Sequence, residues 1–238
     1  AGRTLQGLTV EPRRAAEMAL EAGRAIQYAH EMGVIHRDLK PQNLMLDTDD
    51  HVRVMDFGLA RTLREGTTLT VTGSVVGTPA YMSPEQATGR KCDARSDVYS
   101  LGATLYELLT GHAPFEGPTV LEVLDQVRAR DPIPPRARRA DLSRDLEVIV
   151  LKAMEKEPGR RYGSAREMSE DLRRYLDGEV ILARPASLLT KGVKWIRRNR
   201  GVSVVAVILL LAAASVPVVR AALDLRELRG LRVRAEEA

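Results

Sequence analysis

The sequence is short of cysteine, of metal-binding histidine patterns and of aromatic residues. Its one cysteine, Cys92, excludes an internal disulfide framework and a multi-cysteine metal site, and it fits a reducing compartment. The four histidines show no spacing typical of metal ligands. The net charge is +4, but aromatic residues make up only 4% of the chain. This pattern argues against a nucleic-acid-binding protein.

A long uncharged run near the C-terminus predicts a membrane span. Residues 201–219 carry no charge and are rich in valine, leucine, isoleucine and alanine. A helix of this length crosses most of a ~30 Å hydrocarbon core. Basic residues cluster at 191–200, directly before the run, which indicates a membrane surface, although arginines also follow it. The first cluster is denser and free of acids, which slightly favours a cytoplasmic location for the N-terminal part.

Residues 1–177 have the pattern of a mostly helical globular unit. Apolar periodicity and stop signals predict helices from about Pro12 to Gly33 and at 119–130, 143–156 and 164–177. The stretch 96–109 is apolar on nearly every face and closes at Gly111, which predicts a core helix. Two apolar runs, Leu44–Leu46 and Val52–Met55, flank an acidic turn and predict a small hairpin. The fold class predicted for this unit is α+β, mainly α.

Four motifs follow one another in an order that points to phosphoryl transfer. They are His36-Arg37-Asp38-Leu39-Lys40-Pro41-Gln42-Asn43, Asp56-Phe57-Gly58, the run from Gly77 to Glu85, and Ser96-Asp97-Val98-Tyr99-Ser100-Leu101-Gly102. Phosphoryl transfer needs a carboxylate that accepts a hydroxyl proton, oxygen ligands for Mg²⁺ and a cation beside the transferred group. With these motifs, residues 1–177 resemble the C-terminal lobe of the serine/threonine protein kinases.

The resemblance implies a role for each polar residue of the first two motifs. Asp38 is the implied catalytic base for the substrate hydroxyl, and Lys40 is expected to contact the γ-phosphate of ATP. Asn43 and Asp56 are the implied Mg²⁺ ligands, through an amide oxygen and a carboxylate. The implied cofactors are therefore ATP and Mg²⁺, and the implied partners are protein substrates.

Three further residues resemble structural positions of the family. Asp97 resembles the aspartate at a helix start that holds the backbone of the catalytic loop. Glu85 and Arg161 resemble the buried ion pair at the end of the activation segment. The family's Ala-Pro-Glu is Ser83-Pro84-Glu85 here, which leaves the glutamate intact.

The segment that ends at Thr78 is rich in hydroxyl residues and resembles an activation loop. Arg37 directly precedes the implied base, as in kinases whose phosphorylated loop pairs with that arginine. We expect activating phosphorylation within one group of residues, namely Thr67, Thr68, Thr70, Thr72 and Ser74. The alternative is a flexible hydroxyl-rich loop without a switch. Thr78 itself is expected to contact the implied base and lysine and to shape the substrate site.

The N-terminal lobe of that family is missing from the sequence. No two of the eighteen glycines are spaced Gly-x-Gly, and residues 1–37 contain no lysine. Neither the glycine-rich loop nor the strand lysine of the family is therefore present. Half of the nucleotide cleft is absent, so we expect the isolated chain to bind ATP very weakly and to transfer negligible phosphate.

The leading interpretation is a membrane-anchored, bacterial-type serine/threonine protein kinase, represented by a fragment. Its predicted parts are a protein-kinase-like C-terminal lobe (1–177), a basic juxtamembrane linker (178–200), a single transmembrane helix (201–219) and a charged tail (220–238). It is expected in the cell membrane as a single-pass protein with its kinase lobe in the cytoplasm, where ATP and protein substrates are found.

Other interpretations stay open. A non-catalytic, membrane-tethered pseudokinase scaffold would share the same motifs. A small-molecule phosphotransferase of related fold agrees less well with the long threonine-rich segment, which is a feature of enzymes that act on proteins. A homodimer formed through the tail or through regions outside the chain is also left open.

Overall fold

The computed structural model describes residues 2–57 and 79–183, which belong to one compact unit ending at Pro185. The helices in these ranges are α1 (Pro12–Glu31), α2 (Pro84–Ala87), α3 (Ala94–Thr110), α4 (Val120–Ala129), α5 (Pro135–Arg138), α6 (Arg144–Ala153) and α7 (Ala165–Leu176). The strands are β1 (Arg3–Thr4), β2 (Leu44–Leu46) and β3 (Val52–Val54). Short 3-10 helices cover Pro41–Asn43, Pro79–Tyr81 and Pro158–Arg160. This part of the chain is mainly helical, as predicted.

Helix α1 forms because its apolar residues recur on one face. Ala19, Ala22 and Ile26 are buried, at the three- and four-residue spacing of a helix face that packs against α3 and α7. Pro12 occupies the first turn, where a backbone N–H would have no carbonyl partner within the helix, so its missing N–H costs no hydrogen bond. Gly33 follows the helix with a φ of +76°, a left-handed conformation that glycine adopts without strain. The predicted helix and its glycine stop are confirmed.

Helix α3 is the buried core helix that the sequence predicts. Its polar residues are satisfied inside the core, because Ser100 Oγ donates to the Tyr81 carbonyl (2.8 Å) and Thr104 Oγ1 donates to the Ser100 carbonyl (2.9 Å). Gly102 permits close packing against α6, since a Cβ at this position would lie 2.7 Å from the Cβ of Ala153. The helix therefore provides a rigid support for the loops that meet its first turn.

A three-stranded antiparallel sheet flanks the helices, in the order β1-β2-β3. Leu44 lies opposite Val54 and Leu46 opposite Val52, which confirms the predicted hairpin. The strand β1 adds to its edge, with Arg3 opposite Leu46. The sequence analysis did not predict β1, because two residues are too few to show an alternating pattern.

Residues 178–183, the first part of the predicted juxtamembrane linker, pack against the lobe. Ile181 and Ala183 are buried. The buried carboxylate of Asp171 on α7 accepts hydrogen bonds from the amides of Leu182 (2.7 Å) and Ala183 (2.8 Å). The packed structure therefore continues beyond the end of α7, where the sequence analysis places the domain boundary.

None of the helices within residues 2–57 and 79–183 has the length and apolar character needed to cross a bilayer. The predicted span 201–219 and the tail 220–238 lie outside the described residues. The membrane anchor therefore stays a prediction.

Candidate active site

The loop that carries the first motif connects α1 to β2. Its last residues, Pro41–Asn43, form a 3-10 helix. The amide of Met55, just after β3, donates to the Asn43 carbonyl (2.8 Å), and the buried His36 bonds through Nε2 to the Met55 carbonyl (2.8 Å). These two bonds tie the loop to the strand end that precedes Asp56. The first two motifs are thereby held side by side.

Asp38, Lys40 and Asn43 meet in one hydrogen-bonded cluster. Lys40 Nζ donates to Asp38 Oδ2 (2.8 Å). Asn43 Nδ2 donates to the same carboxylate oxygen (3.0 Å) and to the Asp38 carbonyl (2.7 Å). The Asp38 side chain is 43% exposed, whereas that of Lys40 is 16% exposed. A carboxylate held in this way, and still open to solvent, can accept a proton from the hydroxyl group of an incoming molecule.

The residues present fit a magnesium ion. Because the bonds from Asn43 to Asp38 use its amide nitrogen, its amide oxygen is the atom left to coordinate a cation. Asp56 is exposed and has a φ of +59°, uncommon for a residue other than glycine. Carboxylate and amide oxygens are the hard ligands that Mg²⁺ takes. Mg²⁺ usually takes its remaining ligands from water and from substrate phosphates.

Asp97, at the start of α3, holds the backbone of the loop. Its Oδ2 accepts a hydrogen bond from the His36 amide and its Oδ1 one from the Arg37 amide, both at 2.8 Å. His30 Nε2, at the end of α1, lies 2.7 Å from the same carboxylate. Arg37 has a φ of +67°, a strained conformation that persists only where surrounding contacts impose it. Asp97 therefore imposes the backbone conformation that presents Asp38.

Glu85 and Arg161 form a bidentate, buried ion pair. Arg161 Nη1 and Nη2 each donate to one carboxylate oxygen of Glu85 at 2.7 Å, and Ser96 Oγ donates to Oε1, also at 2.7 Å. Burial alone would raise the pKa of Glu85, but the hydrogen bonds from Arg161 and Ser96, together with the arginine charge, outweigh it and lower this pKa to about 2. The carboxylate is therefore ionised at neutral pH and joins α2 to the connection between α6 and α7.

Part of the predicted site lies outside the described residues. Thr78 lies outside the described residues, and so do the predicted phosphorylation sites Thr67, Thr68, Thr70, Thr72 and Ser74. Arg37 is described, and its Nε is buried without a hydrogen-bond partner in the ranges 2–57 and 79–183. The structure thus brings Asp38, Lys40 and Asn43 together, next to the backbone that carries Asp56.

Two residues that support the loop were missed by the sequence analysis. Gln86 Nε2 donates to the Arg37 carbonyl (2.6 Å). Gln86 also forms a capping box with Ser83, because each side chain accepts a hydrogen bond from the other's amide. A serine followed three residues later by glutamine is a signal that the sequence shows. His30 carries no such signal, since its partner Asp97 lies 67 residues away in the chain.

The geometry defines a class of protein. A half-exposed carboxylate beside a lysine and an amide whose oxygen is available to a cation, on a mainly helical lobe, is the arrangement expected of a phosphoryl-transfer site. The protein kinase domain family matches residues 3–172, and the chain belongs to that family. The family predicted from the motifs is confirmed.

Named relatives are bacterial serine/threonine-protein kinases. PknB of Mycolicibacterium smegmatis is 48% identical over 172 residues, which cover 72% of this chain and 28% of that protein. PknB of Mycobacterium tuberculosis H37Rv is 50% identical over 169 residues, which cover 71% and 27%. A probable serine/threonine-protein kinase of Streptomyces coelicolor is 44% identical over 181 residues, which cover 76% and 27%. The chain thus spans little more than a quarter of the length of these relatives.

Proposed function

We propose that the chain carries the substrate- and metal-binding half of a serine/threonine protein kinase, which transfers the γ-phosphate of ATP to serine and threonine hydroxyls of proteins. The observation that carries this proposal is the Asp38 carboxylate, which is held by Lys40 and Asn43 and is still open to solvent. The names of the relatives support the class of acceptor, because they are called serine/threonine-protein kinases.

Each residue of the cluster has its own part in the proposed reaction. Asp38 orients the acceptor hydroxyl and takes its proton as the hydroxyl oxygen bonds to the γ-phosphorus. The bond from that phosphorus to the β–γ bridging oxygen breaks in the same transfer, and ADP leaves. Lys40, with its Nζ 2.8 Å from that carboxylate, offsets negative charge on the transferred group. Asn43 and Asp56 would hold Mg²⁺ through their side-chain oxygens. When bound, Mg-ATP supplies the phosphoryl group with part of its charge already neutralised.

Phosphorylation within residues 67–74 is proposed to control this site. A phosphate adds about −1.5 to −2 charge and can order a loop through contacts with arginine. Arg37 supports this proposal, because its buried Nε has no partner in the part of the chain that the structure describes. Phosphopeptide mapping of active protein is expected to find phosphate within residues 67–74. Active protein that is unmodified there would contradict the proposal.

The proposed kinase is anchored in the cell membrane by residues 201–219, with its lobe in the cytoplasm. The uncharged run and the basic residues at 191–200 support the anchor. The location of ATP and protein substrates supports the orientation.

A fused protein tests the proposed activity. The fused protein consists of the nucleotide-binding lobe of a related protein kinase, such as PknB of M. tuberculosis, followed by the present chain. We expect Mg²⁺-dependent transfer from labelled ATP to a protein substrate by the fused protein. We expect negligible transfer by the chain alone, because its 238 residues contain no Gly-x-Gly and no lysine before Lys40.

Two other outcomes would be informative. Robust transfer by the chain alone would show that the missing lobe is not needed. A folded fused protein that binds Mg-ATP and transfers nothing would favour the pseudokinase scaffold instead.

A further inference from the structure

A short segment after α7, which we call the strap, is fixed to the lobe. The strap comprises residues 178–183. It begins at Gly178, whose φ of +73° turns the chain, and continues with a hydrogen bond from the Glu179 amide to the Arg174 carbonyl (2.8 Å). It ends at the two amides that bind the buried carboxylate of Asp171. The strap is therefore attached to α7 at both ends.

Side chains of the strap alternate between the lobe and the solvent. Ile181 and Ala183 point into the core and are 9% and 5% exposed. Val180 and Leu182 are 85% and 66% exposed. The side chains of Val180 and Leu182, on either side of the buried Ile181, form the exposed outer face of the strap. This face presents apolar surface without any covering group in the described part of the chain.

Two acidic residues, Asp177 directly before the strap and Glu179 within it, form ion pairs with arginines. Asp177 pairs with Arg173 (2.7 Å), and Glu179 pairs with Arg174 (3.3 Å). The outer face of the strap therefore carries no uncompensated negative charge from these residues. Such a surface can approach anionic lipid without repulsion.

The position of the strap in the sequence indicates what covers it. Lys191, the first residue of the basic cluster, follows Ala183 by eight residues. Eight residues reach at most about 30 Å even when fully extended. Basic residues next to an apolar run are attracted to anionic headgroups. The strap is therefore the described segment nearest in sequence to the residues that are expected to sit at the bilayer surface.

We infer that the outer face of the strap, formed by Val180 and Leu182, rests in the surface of an anionic bilayer while its inner face stays bound to the lobe. The strap then acts as a docking surface that orients the lobe on the membrane, in place of a loose linker. This inference rests on the membrane anchor proposed above.

Fluorescence quenching by lipid tests the inference in the full chain. Trp195 is the only tryptophan, so in a Trp195→Phe background a tryptophan introduced at residue 182 is the only one present. The vesicles are an equimolar mixture of phosphatidylcholine and phosphatidylglycerol, with the phosphatidylcholine brominated near the top of its acyl chains. The matched control is Leu121→Trp on α4, because Leu121 is 68% exposed and Leu182 is 66% exposed.

The Leu182→Trp protein is expected to lose about half of its emission, because apolar side chains at such a surface reach ~5–10 Å into the boundary between headgroups and acyl chains. The Leu121→Trp protein is expected to lose little. Hydrogen exchange at the amides of Leu182 and Ala183 is expected to stay slow in vesicles, since Asp171 still binds them.

Three results would overturn the inference, each in a different way. If the chain floats with vesicles but residue 182 is quenched no more than residue 121, the strap does not touch the bilayer and the anchor still stands. Strong quenching with fast exchange at the two amides means that the strap leaves the lobe. If the chain fails to float with vesicles, the anchor is wrong and the docking surface falls with it.

Discussion

Replacing Asp38 with asparagine is expected to lower the rate of phosphoryl transfer by the fused protein by about 10²–10⁴-fold, the usual contribution of a positioned general base. Asparagine has nearly the same shape and keeps an oxygen that accepts hydrogen bonds from Lys40 and Asn43. It cannot take the hydroxyl proton at neutral pH. The initial rate at saturating Mg-ATP measures the effect.

The stability of the Asp38→Asn protein is expected to change by about 1 kcal/mol or less, because the side chain is 43% exposed. The control is Asp49→Asn on the turn between β2 and β3. That residue is exposed, and its backbone amide, which donates to Asp47, is unchanged by the substitution. Its activity is expected to match that of the parent. If the kcat of the Asp38→Asn protein is unchanged, Asp38 is not the general base.

Replacing Glu85 with glutamine is expected to lower the free energy of unfolding by about 3–5 kcal/mol, because it leaves the Arg161 guanidinium buried without its counter-charge. In a domain of this size the loss corresponds to a fall in Tm of about 10 °C. Near-ultraviolet circular dichroism can follow unfolding through the buried tyrosines Tyr99, Tyr106 and Tyr162. Adding Arg161→Met to Glu85→Gln is expected to recover part of the loss, since no unpaired charge then remains.

The neighbouring arginine provides a matched control. Arg160 pairs with Glu157 at 2.9 Å, but both side chains are about half exposed. Arg160→Met is therefore expected to cost less than about 1 kcal/mol. If Arg160→Met costs as much as Glu85→Gln, the buried pair has no special part in stability.

The same ion pair predicts a dependence of stability on pH. The folded protein lowers the pKa of Glu85 from 4.5 to about 2. A lowered pKa stabilises the folded state above the unfolded pKa, and this contribution, about 3 kcal/mol, is lost as the pH falls from about 4.5 towards about 2. The difference in unfolding free energy between the parent and Glu85→Gln is therefore expected to shrink between about pH 5 and pH 3. A difference that stays constant over this range would contradict the assigned pKa.

Much of the lobe could be predicted from local patterns. Helix α1 carries apolar residues at helical spacing, and α3 is apolar on nearly every face. Gly33 and Gly111, both with positive φ, follow these helices. The hairpin of β2 and β3 follows from two short apolar runs around an acidic turn. Such signals depend only on residues within a few positions of each other, so they can be read without knowing the fold.

The contacts that build the site have a different origin. Arg161 meets Glu85 across 76 residues, and His30 meets Asp97 across 67 residues. The motif order suggested the first pair through resemblance to a family, but nothing in the sequence pointed to His30. Long-range pairs depend on how helices cross and which rotamers their packing allows, and neither is encoded in local spacing.

The sequence by itself determined the order of the motifs, the helical periods and the set of polar residues available for phosphoryl transfer. Tertiary structure decided how these residues act together, because only the folded lobe brings the Asp97 carboxylate to the amides of His36 and Arg37. It also decided that residues 178–183 belong to the lobe, through two amides that find the buried Asp171. A buried carboxylate is costly without hydrogen-bond donors, and the donors that reach it are set by the folded structure, not by their distance along the chain.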